Sequence, residues 1–320
     1  MRVIPYDDVR TKIDHSESIT ILSHLNPDAD ALGTALGIYA LLSQDKSKKV
    51  EVVNASTVLP QYLDFLPNFK KIKHHMDYKH SLVIACDCGS IDRLGFDLEG
   101  RDILNIDHHQ SNTDYGSVNI VIPEYASSSQ VAFRVFQKLY TIHADAATCF
   151  YTALLSDTRY FTTSSVNEEV FTVAQALVKA GAVPSDIAFH FTQRRPLSSL
   201  RILEKALASL SLYDDANIAT LMVSKEEIHA TGATVPDMEG IVDYARSLVT
   251  VEIAVFAMEL EEGIRISLRS KKADVSAVAM AFGGGGHKVA AGFTLKQSGL
   301  QQSMDTILSK IKELGLTDEK

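Results

Sequence analysis

Acidic and histidine side chains recur at short spacings through the first half of this sequence. Carboxylate oxygens with a minority of imidazole nitrogens form the donor set that Mn²⁺ or Mg²⁺ binds, whereas structural zinc sites prefer thiolates. Packed together without a cation, such groups would repel one another and be poorly solvated. The pattern therefore indicates a site for hard divalent cations. The residues are, in chain order, His24, Asp28, Asp30, Asp87, Asp107, His108, His109 and Asp157.

Most of these residues stand where a predicted β-strand ends. The first half of the chain alternates short β-rich runs with helical patterns, which predicts an α/β domain with a parallel sheet flanked by helices. Ligands bind such sheets beyond the carboxyl ends of the strands, where the loops meet. Residues from three strand ends would therefore converge on one crevice. The predicted strands are 19–23, 50–53, 82–86 and 103–106, and a helix is predicted at 31–42.

A mostly helical stretch follows, from residue 127 to about residue 191. Within it, the helical run 148–156 ends immediately before Asp157 and would bring this carboxylate to the same crevice. Three serines, 127–129, precede a second predicted helix at 131–140. Their hydroxyls suit either a helix N-cap or a contact with phosphate, and the sequence leaves both options open.

Bulk composition narrows the class of protein. The net charge of −9 argues against a wide basic face that coats long DNA or RNA, so a nucleic-acid substrate should be short. No apolar run approaches the roughly 18 residues of a membrane span, and the N-terminal stretch lacks the apolar core of a signal peptide. The three cysteines, Cys86, Cys88 and Cys149, offer no disulfide framework. These features predict a soluble cytoplasmic protein with no membrane partner.

The order of the acidic and histidine residues resembles the four sequence motifs of the DHH phosphoesterases. The matching motifs are His24-x-x-x-Asp28-x-Asp30, Asp87, Asp107-His108-His109 and Asp157-Thr158. Near the C-terminus, four glycines at 283–286 followed by His287 are similar to the signature of the DHHA1 domain. One departure is Arg159, which stands where the family commonly has glycine. The resemblance spans nearly the whole chain and points to the stand-alone NrnA-type proteins, bifunctional oligoribonucleases and 3′-phosphoadenosine 5′-phosphate (pAp) phosphatases.

The resemblance implies a centre of two Mn²⁺ ions per subunit, held by side chains from all four motifs. Two divalent ions about 3.5–4 Å apart can share a water, lower its pKa and clamp the oxygens of a phosphate. No protein nucleophile is then needed. The implied ligands are His24 and Asp28 for one ion, Asp30, His108 and Asp157 for the other, and Asp87 as the bridge.

The implied catalytic residues are Asp107 and His109. Asp107 would orient the ring of His108, because a carboxylate commonly holds the second nitrogen of a metal-binding histidine. His109 would lie beside the reacting phosphate. The substrate would still need other cations, because four ligand carboxylates cancel the formal charge of two Mn²⁺ ions.

Further residues are expected to supply these contacts to the substrate. An arginine offers a planar fork of donors that suits a terminal phosphate, and a glycine run lets backbone N–H groups converge on an anion. The expected substrate-binding residues are Arg93, Arg269, Gly284, Gly285, Gly286 and His287.

Two domains are expected, because 320 residues exceed the usual size of one domain. A DHH domain at 1–192 would carry all the implied metal ligands. A linker helix at 193–212 would lead to a smaller, mixed α/β DHHA1 domain at 213–320 that binds the substrate. The strands predicted in that second domain are 218–223, 251–260, 264–269 and 290–295.

Together these features predict a manganese-dependent phosphoesterase. Its substrates would be short oligoribonucleotides, linear dinucleotides or mononucleotide bisphosphates such as pAp, hydrolysed by two-metal activation of water. A RecJ-like single-strand exonuclease is disfavoured because an additional nucleic-acid-binding domain is lacking, and a DHH-type inorganic pyrophosphatase because of the glycine-histidine run. A non-catalytic nucleotide-binding protein is disfavoured by the complete ligand set. The sequence leaves the assembly open, with a homodimer as one option.

Overall fold

Two parts of the chain, Met1–Arg194 and Arg195–Lys320, fold as separate units in the computed structural model. The structure describes residues 4–296 and 299–317. Within these ranges, no helix combines the length and the apolar character needed to cross a membrane.

The first unit contains a five-stranded sheet in which all neighbouring strands run parallel. This confirms the predicted parallel sheet. The strand order is β2-β1-β3-β4-β5, so the chain leaves β1 on one side and later crosses to the other side to form β3. A crevice opens at such a switch point, beyond the carboxyl ends of the two strands. The strands are β1 Ser18–Ser23, β2 Lys49–Val53, β3 Leu82–Cys86, β4 Ile103–Asp107 and β5 Val118–Val121.

Helices cover one face of this sheet, and successive residues of each strand project to opposite faces. Ile19 and Ile84 belong to the core that the helices share, whereas Leu22 and Val83 pack on the other face against loop residues such as Leu98. The helices are α1 Tyr6–His15, α2 Ala29–Leu42, α3 Ser128–Phe136, α4 Ala144–Asp157, α5 Glu168–Lys179 and α6 Pro184–Thr192.

Helices α2 and α4 approach each other so closely that glycine is required between them. A Cβ added to Gly33 would lie 2.6 Å from the carbonyl oxygen of Cys149, and one added to Gly37 would lie 2.4 Å from the ring of Phe150. Real Cβ atoms do not come that close to other heavy atoms, because packed interiors leave no room for overlap. The two glycines therefore fix the distance between the helices.

The second unit contains a mixed six-stranded sheet in the order β10-β11-β9-β8-β7-β6. Strands β7 and β8 are parallel, and the other neighbours are antiparallel. This confirms the mixed α/β fold predicted for the second half. The strands are β6 Ser211–Tyr213, β7 Ile218–Val223, β8 Ile253–Leu260, β9 Gly263–Ser270, β10 Gly285–His287 and β11 Ala290–Leu295. The helices are α7 Leu197–Ala208, α8 Lys225–Thr231, α9 Ile241–Arg246, α10 Val275–Ala281 and α11 Leu300–Glu313.

Helix α7 packs within the second unit, although the sequence suggests a separate linker helix there. Its Ile202 and Ala206 are fully buried in one cluster with Leu221 and Phe256 of the sheet. These apolar residues are four positions apart and lie on one side of the helix, which is the side that a globular core covers.

Candidate metal centre

The end of β1 and the start of α2 supply the first three side chains of the site. His24 is buried, and its Nδ1 donates to the carbonyl oxygen of Leu25 at 2.8 Å. This contact leaves Nε2 as the nitrogen that can bind a cation. Asp28 caps α2 by accepting a hydrogen bond from the Ala31 N–H at 3.0 Å, and Asp30 lies buried in the first turn of the same helix.

Asp87 follows β3 and lies between two histidines that approach its oxygens separately. Its Oδ2 is 3.6 Å from Nε2 of His24, and its Oδ1 is 3.7 Å from Nε2 of His108. The backbone of Asp87 is left-handed, with φ 55°. This conformation is uncommon for a residue other than glycine and persists only where the surroundings hold it. One carboxylate thus spans the space between two sets of side chains.

Two groups of potential ligands lie on either side of that carboxylate. In each group, one donor atom per residue lies within 4.8 Å of the others. The donors are carboxylate oxygens and imidazole nitrogens, which fit a hard divalent cation. The structure therefore brings together the six side chains that the motifs suggest as ligands. These two groups are His24, Asp28 and Asp87, and Asp30, His108 and Asp157; Asp87 also forms a group at the same separation with Asp107 and His109.

Asp107 orients the ring of His109, and this corrects the expectation that it orients His108. Its Oδ1 accepts a hydrogen bond from Nδ1 of His109 at 2.7 Å and from the backbone N–H of His108 at 2.8 Å. The ring of His108 instead has its Nδ1 3.2 Å from the carbonyl oxygen of Tyr125. Successive side chains leave the backbone in different directions, so the carboxylate meets one ring and the other turns away. The Oδ2 of Asp107 accepts from Asn112 at 2.5 Å.

The ring of His109 is held as a cation. Burial lowers the pKa of a histidine, but the hydrogen bond to Asp107 and the charges of Asp87, Asp107 and Asp157 raise the pKa of His109 to about 9. At neutral pH the imidazolium therefore places a positive charge beside the carboxylates.

The carboxylates of the cluster differ in how readily they ionise. Burial opposes ionisation of Asp87, but its contact with His24 and the charges of the neighbouring histidines outweigh burial and lower its pKa. Burial and repulsion by Asp87 and Asp157 raise the pKa of Asp30 well above its usual value. Desolvation raises the pKa of Asp157 to about 6, against the opposing charge of His108. Bound cations would relieve this mutual repulsion.

The first turn of α3 donates hydrogen bonds into the same cluster. Ser127 is the N-cap, because its hydroxyl oxygen accepts from the N–H of Gln130 at 3.1 Å. The N–H groups of Ser128 and Ser129 donate to the two oxygens of Asp30, at 2.7 and 3.1 Å. Of the two roles that the sequence leaves open for these serines, the N-cap is confirmed for Ser127.

Arg93 lies beside the first group. Its backbone carbonyl accepts from the N–H of Leu25 at 2.7 Å, and its side chain is exposed. Burial lowers the pKa of His24, while contact with Asp87 and the charges of Asp28 and Asp87 raise it, and the net shift is upward. The charge of Arg93 opposes that upward shift.

Arg159 adopts the backbone conformation that glycine takes most readily. Its φ is 45°, and Tyr160 and Phe161 follow with φ 59° and 63°. The chain therefore leaves α4, just after Asp157, in a left-handed turn. Such a turn costs a residue with a Cβ about 1–2 kcal/mol, which is a physical reason for glycine at this position in the family.

In the second unit, Arg269 and His287 lie in one row across three strands. Arg269 on β9 pairs with Ala290 on β11, and Ala290 pairs with His287 on β10. Residues opposite each other in neighbouring strands project to the same face of a sheet. The two basic side chains therefore flank a small residue on one face.

The last two residues of the glycine run, Gly285 and Gly286, begin the edge strand β10, and Gly283 and Gly284 precede it. A Cβ on Gly284 would lie 2.3 Å from the carbonyl oxygen of Gly292. One on Gly286, whose φ is 143°, would lie 2.5 Å from that of Ala290. These glycines let two backbones approach closely, because a side chain at either position would overlap a carbonyl oxygen of β11.

One contributor to the site has no signal in the sequence. Asn112 donates to Asp107 and also to the carbonyl oxygen of Cys88, at 3.1 Å. An asparagine in a polar loop is usually solvated or part of a turn. Only the folded chain shows that this amide joins the loops that follow β3 and β4.

Two family models match the chain in succession. The DHH family, N-terminal domain, matches residues 18–154, and the DHHA1 domain matches residues 215–314. The first match contains the end of β1, the Asp87 loop and the Asp-His-His run, and the second contains Arg269 and the glycine run. The order agrees with the two units of the structure.

Curated proteins and a solved structure are similar over nearly the full length. A bifunctional oligoribonuclease and PAP phosphatase NrnA of Thermus thermophilus is 29% identical over 301 residues, 92% of this chain and 89% of that protein. The protein of the same name from Bacillus subtilis is 23% identical, over 87% of this chain and 90% of its own length. The crystal structure of an exopolyphosphatase-related protein from Bacteroides fragilis has a TM-score of 0.86 at 28% identity, covering 98% of this chain and 99% of that one.

Proposed function

We propose that this chain hydrolyses short oligoribonucleotides, linear dinucleotides and pAp with two Mn²⁺ ions. The proposal starts from its family: the chain belongs to the DHH family and is a phosphoester hydrolase with a DHHA1 domain. The names of its relatives support the substrate class, since they are called oligoribonuclease and PAP phosphatase. Three points are proposed for this chain: that the metal is Mn²⁺, that two ions bind, and that the substrates are those named above.

The position of Asp87 carries the proposal. Its two oxygens lie at similar distances, 3.6 and 3.7 Å, from His24 and His108, which belong to different ligand groups. A carboxylate that faces two groups of donors is suited to bridge two cations. Two-cation centres of this kind support in-line displacement at phosphorus, with one ion on each side of the transferred group.

The protein's own groups would divide the work at the reacting phosphate. Bound divalent ions would supply an activated water and neutralise phosphate oxygens. His109, with Nδ1 engaged by Asp107 and its pKa raised to about 9, would use Nε2 to donate a hydrogen bond or a proton to a phosphate oxygen. Asp107 fixes the direction of that ring and favours its protonated form, as a carboxylate does in other catalytic histidine pairs.

Contacts beyond the ligands would select a short anionic substrate. Arg93 is exposed beside His24, and Arg269 and His287 flank Ala290 on one face of the second sheet. We assign substrate binding to these residues, to Gly284, and to Gly285 and Gly286 of the edge strand. A protein of net charge −9 repels long polyanions at a distance, so a few local contacts would favour substrates of a few nucleotides.

The proposal is tested by metal-dependent turnover on four substrates. We expect Mn²⁺ to support hydrolysis of pAp, pApA and a five-nucleotide RNA, with Mg²⁺ weaker and little release of phosphate from pyrophosphate. Excess chelator should abolish activity, because hard oxygen donors and imidazole hold the ions. Activity should return when Mn²⁺ is added back in excess over the chelator.

Two results would contradict the proposal in different ways. Undiminished activity in excess chelator would remove the metal from the mechanism. Rapid hydrolysis of pyrophosphate with no turnover of nucleotides would be consistent with the metal centre, but it would show that the substrate is pyrophosphate and not a nucleotide.

A further inference from the structure

The hydroxyl of Ser128 lies inside the candidate metal centre, although serine is not among the expected ligands. The side chain is fully buried, and its Oγ donates to Oδ1 of Asp87 at 2.8 Å, with Oδ1 of Asp107 3.3 Å away. The Asp107 oxygen already accepts from the N–H of His108 and the ring of His109. The single hydroxyl proton is therefore directed to Asp87.

The backbone of the same serine holds a second carboxylate. Its N–H donates to Oδ2 of Asp30, while the N–H of Ser129 and the hydroxyl of Thr34 donate to Oδ1. The first N–H groups of a helix have no partner within the helix. Ser127 caps another of them with its own hydroxyl, so the N–H groups of the first two helical residues are directed to Asp30.

We propose that Ser128 is a positioning residue that holds Asp30 and Asp87 in the arrangement that binds two cations. The two carboxylates belong to different ligand groups, and this one residue donates a hydrogen bond to each. A neutral donor fixes like-charged groups side by side without occupying a cation's place. Each carboxylate oxygen that accepts one hydrogen bond keeps a second lone pair for an ion.

The inference rests on the metal-dependent function proposed above and predicts a defect in metal binding. Ser128→Ala keeps the N–H that donates to Asp30 and removes the donor to Asp87. We expect Mn²⁺ to bind about 10- to 100-fold more weakly, which is the usual effect of removing a partner of a metal ligand. Calorimetric titration of Mn²⁺ without substrate measures this directly. The lost kcat should recover as Mn²⁺ is raised, and KM for pAp should stay the same.

Ser128→Pro removes both hydrogen bonds of this residue while suiting the helix. Proline is favoured at the first helical position because that N–H has no helical partner. Ser127 before it has an extended backbone, φ −161° and ψ 158°, which a following proline allows. We expect weaker Mn²⁺ binding than in Ser128→Ala, and the difference between the variants measures the bond to Asp30.

A matched control removes another buried hydroxyl of the first unit. Thr152 in α4 is fully buried and donates to the carbonyl oxygen of Thr148 at 2.8 Å. Thr152→Val should bind Mn²⁺ as the natural protein does. If Ser128→Ala bound Mn²⁺ as tightly as the natural protein, or if Thr152→Val lost as much affinity, the positioning role would be overturned.

The two levels of proposal fail separately. A natural protein that neither binds Mn²⁺ nor hydrolyses nucleotides overturns the proposed function. If the natural protein binds Mn²⁺ and hydrolyses nucleotides, and Ser128→Ala binds Mn²⁺ with the same affinity, only the positioning role is overturned. If Ser128→Pro does not fold, Ser128→Ala and its control still decide the question.

Discussion

Two neighbouring residues of the candidate centre, Asp87 and His109, have contacts that suit different roles. Asp87 has an oxygen near a histidine of each ligand group, at 3.6 and 3.7 Å. Nδ1 of His109 donates to Asp107 and lies 3.6 Å from Oδ1 of Asp87. His109 does not belong to either of the two groups that match the expected ligand sets. Substitutions at these positions should therefore affect metal content and turnover differently.

Replacing each residue with alanine should separate metal binding from turnover. Asp87→Ala should lose both Mn²⁺ ions, because Asp87 belongs to one ligand group and its Oδ1 faces His108 of the other. His109→Ala should keep both ions and lose turnover by about 10²- to 10⁴-fold, the usual contribution of an acid–base group. Metal analysis by mass spectrometry after dialysis, with kcat measured on the same samples, checks both outcomes.

Equal metal loss in the two variants would show that His109 binds an ion. Normal metal content in Asp87→Ala would show that the two groups hold cations independently of this carboxylate.

At the scale of elements, the packing of α2 against α4 places the acidic ends of both helices together. Asp30 lies in the first turn of α2, Asp157 ends α4, and the two lie in one ligand group. The close approach depends on Gly33 and Gly37. The distance between the helices therefore influences the geometry of the site.

Gly33→Ala should lower both stability and metal affinity. The new methyl group would meet a backbone oxygen at 2.6 Å, which only a shift of the helices can relieve. Overpacking of this kind costs about 1–3 kcal/mol, and the better helix propensity of alanine, about 1 kcal/mol, acts in the opposite direction. Urea unfolding and Mn²⁺ titration measure the two effects.

Gly89→Ala is the matched control, since its methyl group would lie 3.6 Å from the nearest atom, in ordinary contact. Equal stability of Gly33→Ala and the natural protein would mean that the helices adjust without cost, and the proposed link between packing and the site would fail.

At the scale of the whole molecule, the residues assigned to metals and most of those assigned to substrate belong to different units. Both ligand groups lie within Met1–Arg194, whereas Arg269, His287 and the glycine strand lie within Arg195–Lys320. If the second unit serves only to hold the substrate, substitutions in that unit should leave the Mn²⁺ content of the protein unchanged.

Arg269→Ala should reduce kcat/KM on pAp and short RNA by about 10- to 100-fold. A charge-assisted hydrogen bond of about 1.5–3 kcal/mol would be lost from a phosphate. A small activated phosphodiester should be far less affected, and Mn²⁺ content should be unchanged. Lys310→Ala on α11 removes the same charge from a side chain that pairs with Glu313, and it should leave all three measurements unchanged.

Equal damage to nucleotide and small-diester cleavage in Arg269→Ala would contradict this division. The second unit would then shape the metal centre itself.

The sequence by itself determined several of the strands and the positions of the candidate ligands at their ends. Strand β3 is found at the predicted residues 82–86, and strands β7 and β11 likewise match their predictions. Such runs are apolar and bounded by polar residues, so local periodicity is enough to identify them. Strand β5 was not predicted, because a four-residue run with one asparagine carries little periodicity.

Only the tertiary structure decided which groups meet. Asp30 and the N–H of Ser128 are 98 positions apart in the chain, and Asp87 and the Ser128 hydroxyl are 41 apart. Periodicity reports the neighbours of a residue along its own element, whereas these contacts depend on how separate elements pack. Asp107 meets the ring of His109 rather than that of His108 because successive side chains leave the backbone in different directions. Gly285 and Gly286 join an edge strand because β11 supplies their partners. Periodicity reports neither a side-chain direction nor a strand partner.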